Sequence, residues 1–135
     1  MNSGLGPMKL LLDSHAFIWW DNDLGRLSPR VLEMCQDPAN MLLLSVASVW
    51  EMQIKVQLGK LRLPVGLGEM IMNQTSANHF EVLPIGLAHV LLLDSLPLHH
   101  KDPFDRLLIA QANVEGAVLL SNDSIFAQYP VNVQW

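Results

Sequence analysis

Short, unbroken apolar runs recur along the chain, separated by longer stretches in which hydrophobic residues return every three or four positions. That pattern predicts strands joined by crossover helices, and hence a largely parallel sheet. The runs place strands over 9–12, 41–44, 81–83, 117–120 and 131–133. Ser28 followed by Pro29 has the chemistry of an N-cap with proline at the first helical position, opening a helix through about Cys35; Asp37-Pro38 then turns the chain. Ser45 caps a second helix running from Val46 to about Leu58, with Val46, Val49, Trp50 and Ile54 in helical period. Gly59 stands where a left-handed residue ends it. Further helices are expected near 67–78 and 87–93, the first with a boundary blurred by Gly66 and Gly68. Asp102-Pro103 opens another, with Phe104, Leu107 and Leu108 on one face and Gly116 just past its end.

No internal repeat, low-complexity tract or linker interrupts this order, so one α/β domain of about five strands is expected over residues 8–135. Residues 1–7, MNSGLGP, carry no hydrophobic period and are read as a loose extension. Half of the 135 residues are hydrophobic, enough for a core. The net charge of −5 argues against a nucleic-acid partner, yet weakly, because carboxylates that hold a cation count as negative here and are neutralised on binding. Cys35 is the single cysteine, which excludes an intrachain disulfide and a thiolate metal cluster and fits a reducing compartment. The start of the chain lacks basic residues and the apolar run at 10–12 stops at Asp13, so neither a signal peptide nor a membrane span is expected. A cytoplasmic protein follows.

In an open parallel sheet, ligands bind beyond the carboxyl ends of the strands. Asp13 directly follows the first strand, and Asp123 follows the fourth after Ser121 and Asn122. Glu51 lies in the second turn of the helix leaving the second strand. Asp105 lies in the first turn of the helix entering the fourth, near the ligand edge only if that helix runs opposite to a normal return crossover. Topology alone therefore leaves Asp105 unplaced. A single Asp after a strand is ordinarily a turn residue or a cap. Here Glu51 and Asp105 sit in apolar surroundings, where a buried charge needs a partner, and only eight Lys and Arg are present. A shared Mg²⁺ or Mn²⁺ satisfies several carboxylates at once. Asp102 has the full chemistry of a helix cap and, three residues from Asp105 on the same face, can also support the site. Ser14, Ser121 and Asn122 can orient water, metal or phosphate, although they are also ordinary turn formers.

His99-His100 matches no zinc-ligand spacing and lacks completing ligands; His15, His79 and His89 suit solvated or core positions. Trp19-Trp20 and Trp50 read as packing or partner contacts rather than base-stacking platforms, since no basic residues interleave them. Met34, Met41, Met52, Met70 and Met72 read as core or interface filler.

The segments LLLDSHAFIWW, SVASVWEMQIKVQLGKLRLP, HHKDPFDRLLIAQA and LLSNDSIFAQY, in this order and spacing, resemble the PIN-domain family, and more narrowly the VapC-type toxins of bacterial toxin–antitoxin pairs. The resemblance implies a three-layer sandwich with a central parallel sheet, and an acidic pocket for Mg²⁺ or Mn²⁺ that supports endoribonuclease activity. It implies that Asp13, Glu51, Asp105 and Asp123 form that pocket, which supplies the placement of Asp105. Ser14 and Ser121 stand where Thr is frequent, keeping the hydroxyl. A homodimer and a small VapB-like antitoxin partner are implied as well, with Trp19-Trp20 and the Met-containing helices as apolar docking surface.

Metal-assisted cleavage of RNA would use Asp13, Asp105 and Asp123 as ligands, with Glu51 as a ligand, a water-mediated contact or a general base. Lys55, Lys60, Arg62, Lys101 and Arg106 are candidates for the RNA backbone, a plain surface role being the alternative. A phosphatase of the aspartyl-nucleophile kind needs a second Asp two positions after the first, where His15 stands. The remaining alternative is a non-catalytic metal-binding or antitoxin-bound module on the same fold.

Overall fold

A computed structural model describes residues 6–98 and 102–135. His99, His100, Lys101 and most of the expected extension lie outside the described residues. Five strands, β1 (Lys9–Leu12), β2 (Met41–Ser45), β3 (Glu81–Leu83), β4 (Val118–Leu120) and β5 (Val133–Gln134), form one sheet in the order β3-β2-β1-β4-β5. All four pairings are parallel. The helices are α1 (Ser14–Asn22), α2 (Pro29–Gln36), α3 (Val46–Gln57), α4 (Leu67–Ala77), α5 (Leu87–Leu92) and α6 (Pro103–Glu115).

Alternation along the central strands divides the core in two. Leu10, Leu12, Leu42, Leu44, Val118 and Leu120 pack with Phe17 of α1, Val31 and Cys35 of α2, Met52 of α3 and Met70 of α4. Leu11, Leu43 and Leu119 face the other way, onto Leu108, Ile109 and Ala112 of α6 with Phe126 and Tyr129. Helices cover both faces, giving the expected α/β sandwich and explaining why the strands read as unbroken apolar runs.

The capping chemistry is as read. Ser28 accepts a hydrogen bond from the Val31 N–H, Ser45 from Ala47, and Asp102 from both Phe104 and Asp105. Gly59 and Gly116 hold φ of +71° and +65° just past α3 and α6. Three readings need correction. Helix α1 was not expected; Asp13 is its N-cap, accepting from the Ala16 N–H at 2.8 Å. The last strand lies at Val133–Gln134, paired with Leu119 and Leu120, rather than at 131–133. Helix α6 needs no reversed direction. It ends directly before β4, at the amino edge, and its 13 residues span about 20 Å, so its first turn lies at the carboxyl edge as in any return crossover.

Trp19 and Trp20 are half-buried against the core rather than exposed, and Met52 and Met70 are wholly buried. Met72 is the exposed methionine of α4, at 70 %. His89 is a core residue: its Nδ1 accepts from the Gly86 N–H at 2.9 Å and its Nε2 lies 3.0 Å from Glu115 Oε2. No described helix is long and apolar enough to cross a membrane.

Candidate metal centre

Parallel strands deliver the loop after β1, the start of α3 after β2, and the loop after β4 to one edge of the sheet. The start of α6 reaches the same edge. Helix α3 is fixed there by Ser45, whose hydroxyl donates to the Gln111 side-chain oxygen of α6 while accepting from Ala47. Gln111 is fully buried and donates in turn to Pro84 O at 3.3 Å. This ties α3 to α6 and sets Glu51 beside the first turn of α6.

Carboxylate oxygens of Glu51, Asp102 and Asp105 all lie within 4.8 Å of one another, each residue half-buried. Among the described residues this is the group that can hold a metal ion. Three anionic oxygens at that spacing repel unless a cation or protons intervene, and an all-oxygen donor set suits a hard cation such as Mg²⁺ or Mn²⁺. The donor chemistry fits the expected metal. Asp102 thus does more than cap α6. The capping reading was available from Asp-Pro, but membership of the carboxylate group depends on a contact with α3 that spacing does not reveal.

Asp13 lies outside that group but is connected to it. The adjacent Ser14 hydroxyl donates to Glu51 Oε1 at 2.8 Å, and the Asp13 backbone N–H donates to Leu120 O at 3.2 Å across the β1–β4 pair. Burial pushes the Asp13 carboxyl above its ordinary range. Hydrogen bonds from Ser121 and from the Ala16 N–H, and the nearby His15, oppose the rise, whereas the Glu51 charge adds to it. Ser121 also accepts from the Asp123 N–H at 3.1 Å, so one buried hydroxyl joins the ends of β1 and β4. Asp123 itself is exposed and caps a 3-10 turn at Ser124–Gln128 through the Ile125 N–H; it is not among the three gathered carboxylates. Asn122 is exposed beside it. Ser48, one turn before Glu51 on α3, has a buried hydroxyl with no hydrogen-bond partner.

Of the basic candidates, Lys55 follows Glu51 by one turn of α3 and is half-buried, while Lys60 and Arg62 are exposed beyond it. Arg106 turns inward: its guanidinium donates to Pro97 O at 2.7 Å and Leu93 O at 3.1 Å, holding the segment before α6.

The sequence itself matches a known family. The sequence pattern of the PIN domain spans residues 10–132. The chain belongs to the PIN domain family. No curated protein sequence matches it significantly. Among solved structures, this PIN domain is similar to VapBC2 from Rickettsia felis bound to a DNA fragment from its promoter, with TM-score 0.67 and 15 % identity, covering 94 % of this chain and 98 % of that one. It is also similar to FitAcB from Neisseria gonorrhoeae, with TM-score 0.57 and 16 % identity over 92 % of this chain and 95 % of that one. VapBC-1 from nontypeable Haemophilus influenzae matches with TM-score 0.53 and 16 % identity, over 94 % and 97 %. At these identities the likeness concerns the fold of the PIN domain.

Proposed function

We propose that this PIN domain is a VapC-type toxin of a bacterial toxin–antitoxin pair and acts as a Mg²⁺- or Mn²⁺-dependent endoribonuclease. The observation that carries the reading is the convergence of Glu51, Asp102 and Asp105 within 4.8 Å at the carboxyl edge of the sheet. Asp13, Glu51, Asp105 and Asp123 are the proposed catalytic set, with Asp102 at the same centre. A bound Mg²⁺ or Mn²⁺ would supply Lewis acidity at the phosphate and lower the pKa of water.

The chain's own groups orient the site. Ser14 holds one Glu51 oxygen, leaving the other to accept a proton from water as a general base. Ser121 fixes Asp13 and, through the Asp123 N–H, the loop after β4. Lys55, Lys60 and Arg62 are proposed to meet the RNA backbone, while the Arg106 guanidinium serves the chain's own carbonyls. Similarity to toxin–antitoxin complexes supports a small VapB-like antitoxin as partner. Homodimerisation and a cytoplasmic location belong to the same proposal.

The test is cleavage of structured RNA with Mg²⁺ or Mn²⁺, using Asp13→Asn and Asp105→Asn as controls. Wild-type cleavage that yields 5′-phosphate and 3′-hydroxyl ends, lost in both variants, is the expected result. Activity that survives both substitutions, or 2′,3′-cyclic phosphate as the main product, overturns the assignment. Metal binding without RNA cleavage would leave a non-catalytic module.

A further inference from the structure

Of the four tryptophans, one is left open to solvent. Trp19 packs edge-on against Trp135 at 5.7 Å and stacks with His15. Trp20 donates its Nε1–H to Gln74 at 3.0 Å. Trp50, by contrast, is 57 % exposed. Its aromatic neighbour among the described residues is Phe104, with centroids 5.1 Å apart and planes at 83°. An edge-to-face contact covers at most one face of the indole, so the other stays open while the ring is held in place.

Trp50 and Phe104 flank the metal centre. Trp50 precedes Glu51 on α3, and Phe104 lies between Asp102 and Asp105 on α6. The pair therefore bridges the two helices that gather the three carboxylates. We infer that Trp50, steadied by Phe104, is the ledge on which one nucleobase beside the scissile phosphate stacks. The inference rests on the nuclease reading above and names a substrate contact within it.

Aromatic ledges for single-stranded nucleic acid ordinarily lie in a basic groove; here, among the described residues, Lys55 on α3 is the nearby cation open to RNA, since Arg106 is engaged by the chain's own carbonyls. A divalent cation held by Glu51, Asp102 and Asp105 would offset most of their charge and offer the phosphate open coordination positions, leaving the aromatic ring to receive the base. Trp50 directly precedes Glu51 and Phe104 directly precedes Asp105, so the ring lies where a base joined to a phosphate at the three carboxylates would reach it.

The test begins by mapping the cut in the structured RNA used above with Mg²⁺ or Mn²⁺, then replacing each base flanking the cut by an abasic residue. With wild-type protein, one abasic position should raise KM about tenfold, the order set by a single base–aromatic stack. Trp50→Ala should raise KM on intact RNA by a similar factor, with a much smaller fall in kcat, and should add almost nothing on the abasic RNA. Trp50→Phe should restore most of the loss. That non-additivity is what a merely structural role would not give.

Equal effects of Trp50→Ala on intact and abasic RNA overturn the inference while leaving the nuclease reading intact. So does unchanged KM accompanied by a shift from dimer to monomer in sedimentation, which would assign Trp50 to a second copy. Absence of metal-dependent cleavage by the wild type overturns the nuclease reading, and this inference with it.

Discussion

Desolvation raises the Asp13 carboxyl above its ordinary value of 3.8, even though Ser121 and the Ala16 N–H both donate to it. In the window between 3.8 and that raised value the folded chain holds more protons than the unfolded one. Stability contributed at this residue is therefore present at low pH and lost as pH rises through the window. Above that window, ionised Asp13 works against the metal-free fold. Asn can still accept the Ala16 N–H as a cap but carries no charge. In EDTA at neutral pH, Asp13→Asn should therefore melt above the wild type, with the difference closing as pH falls towards 4, while RNA cleavage is lost. A variant that melts at or below the wild type under those conditions would contradict the account. Cys35 gives a second residue-scale expectation, because burial pushes its thiol up to about 12. Thiolate is then scarce at neutral pH, and the side chain is 5 % exposed. A thiol-reactive dye should label the folded protein slowly and the denatured chain at once; rapid native labelling would show that the α2 face opens freely.

The first turn of α6 has two duties that separate substitutions can pull apart. Asp102 accepts from the N–H groups of Phe104 and Asp105, and its carboxylate also stands within 4.8 Å of those of Glu51 and Asp105. Asp102→Ala should destabilise the fold by about 1 kcal/mol through the lost cap and weaken metal binding too. Asp102→Asn should keep the cap and the melting temperature but still weaken Mg²⁺ or Mn²⁺ binding, measured by calorimetry. Unaltered metal affinity in both variants would reduce Asp102 to a cap. The contrast also marks what could be read along the chain. Ser28, Ser45, Gly59, Asp102 and Gly116 were legible as helix ends because capping is local chemistry over three or four residues. Helix α1 was not, because SHAFIWWDN is apolar on nearly every side and shows no stripe, and because an Asp after a strand serves equally as a ligand at the sheet edge and as a helix cap. The two-residue β5 slipped because so short an edge strand is fixed by its pairing with β4, which periodicity does not report.

At the scale of the molecule, the acidic centre is a product of topology. Asp13, Glu51, Asp102, Asp105 and Asp123 are dispersed over most of the sequence, and the parallel order β3-β2-β1-β4-β5 brings their elements to one edge. That three of the carboxylates would meet, while Asp13 joins through Ser14 and Asp123 remains on the surface, depends on side-chain packing between α3 and α6 and was not legible in spacing. Because the unfolded chain cannot assemble such a site, a metal bound there should stabilise the folded state by mass action. At a free concentration near one hundred times Kd the gain is roughly 2.7 kcal/mol, large for a domain whose total stability is on the order of 5–15 kcal/mol. Melting temperature should accordingly climb with added Mn²⁺ or Mg²⁺ and return to its starting value with EDTA. Asp105→Asn should flatten the climb, because it neutralises one of the three gathered carboxylates, while a substitution of exposed Met72 on α4 should not. A climb identical in the wild type and Asp105→Asn would mean that the stabilising ion sits elsewhere, and the carboxyl-edge centre would lose its claim to the metal.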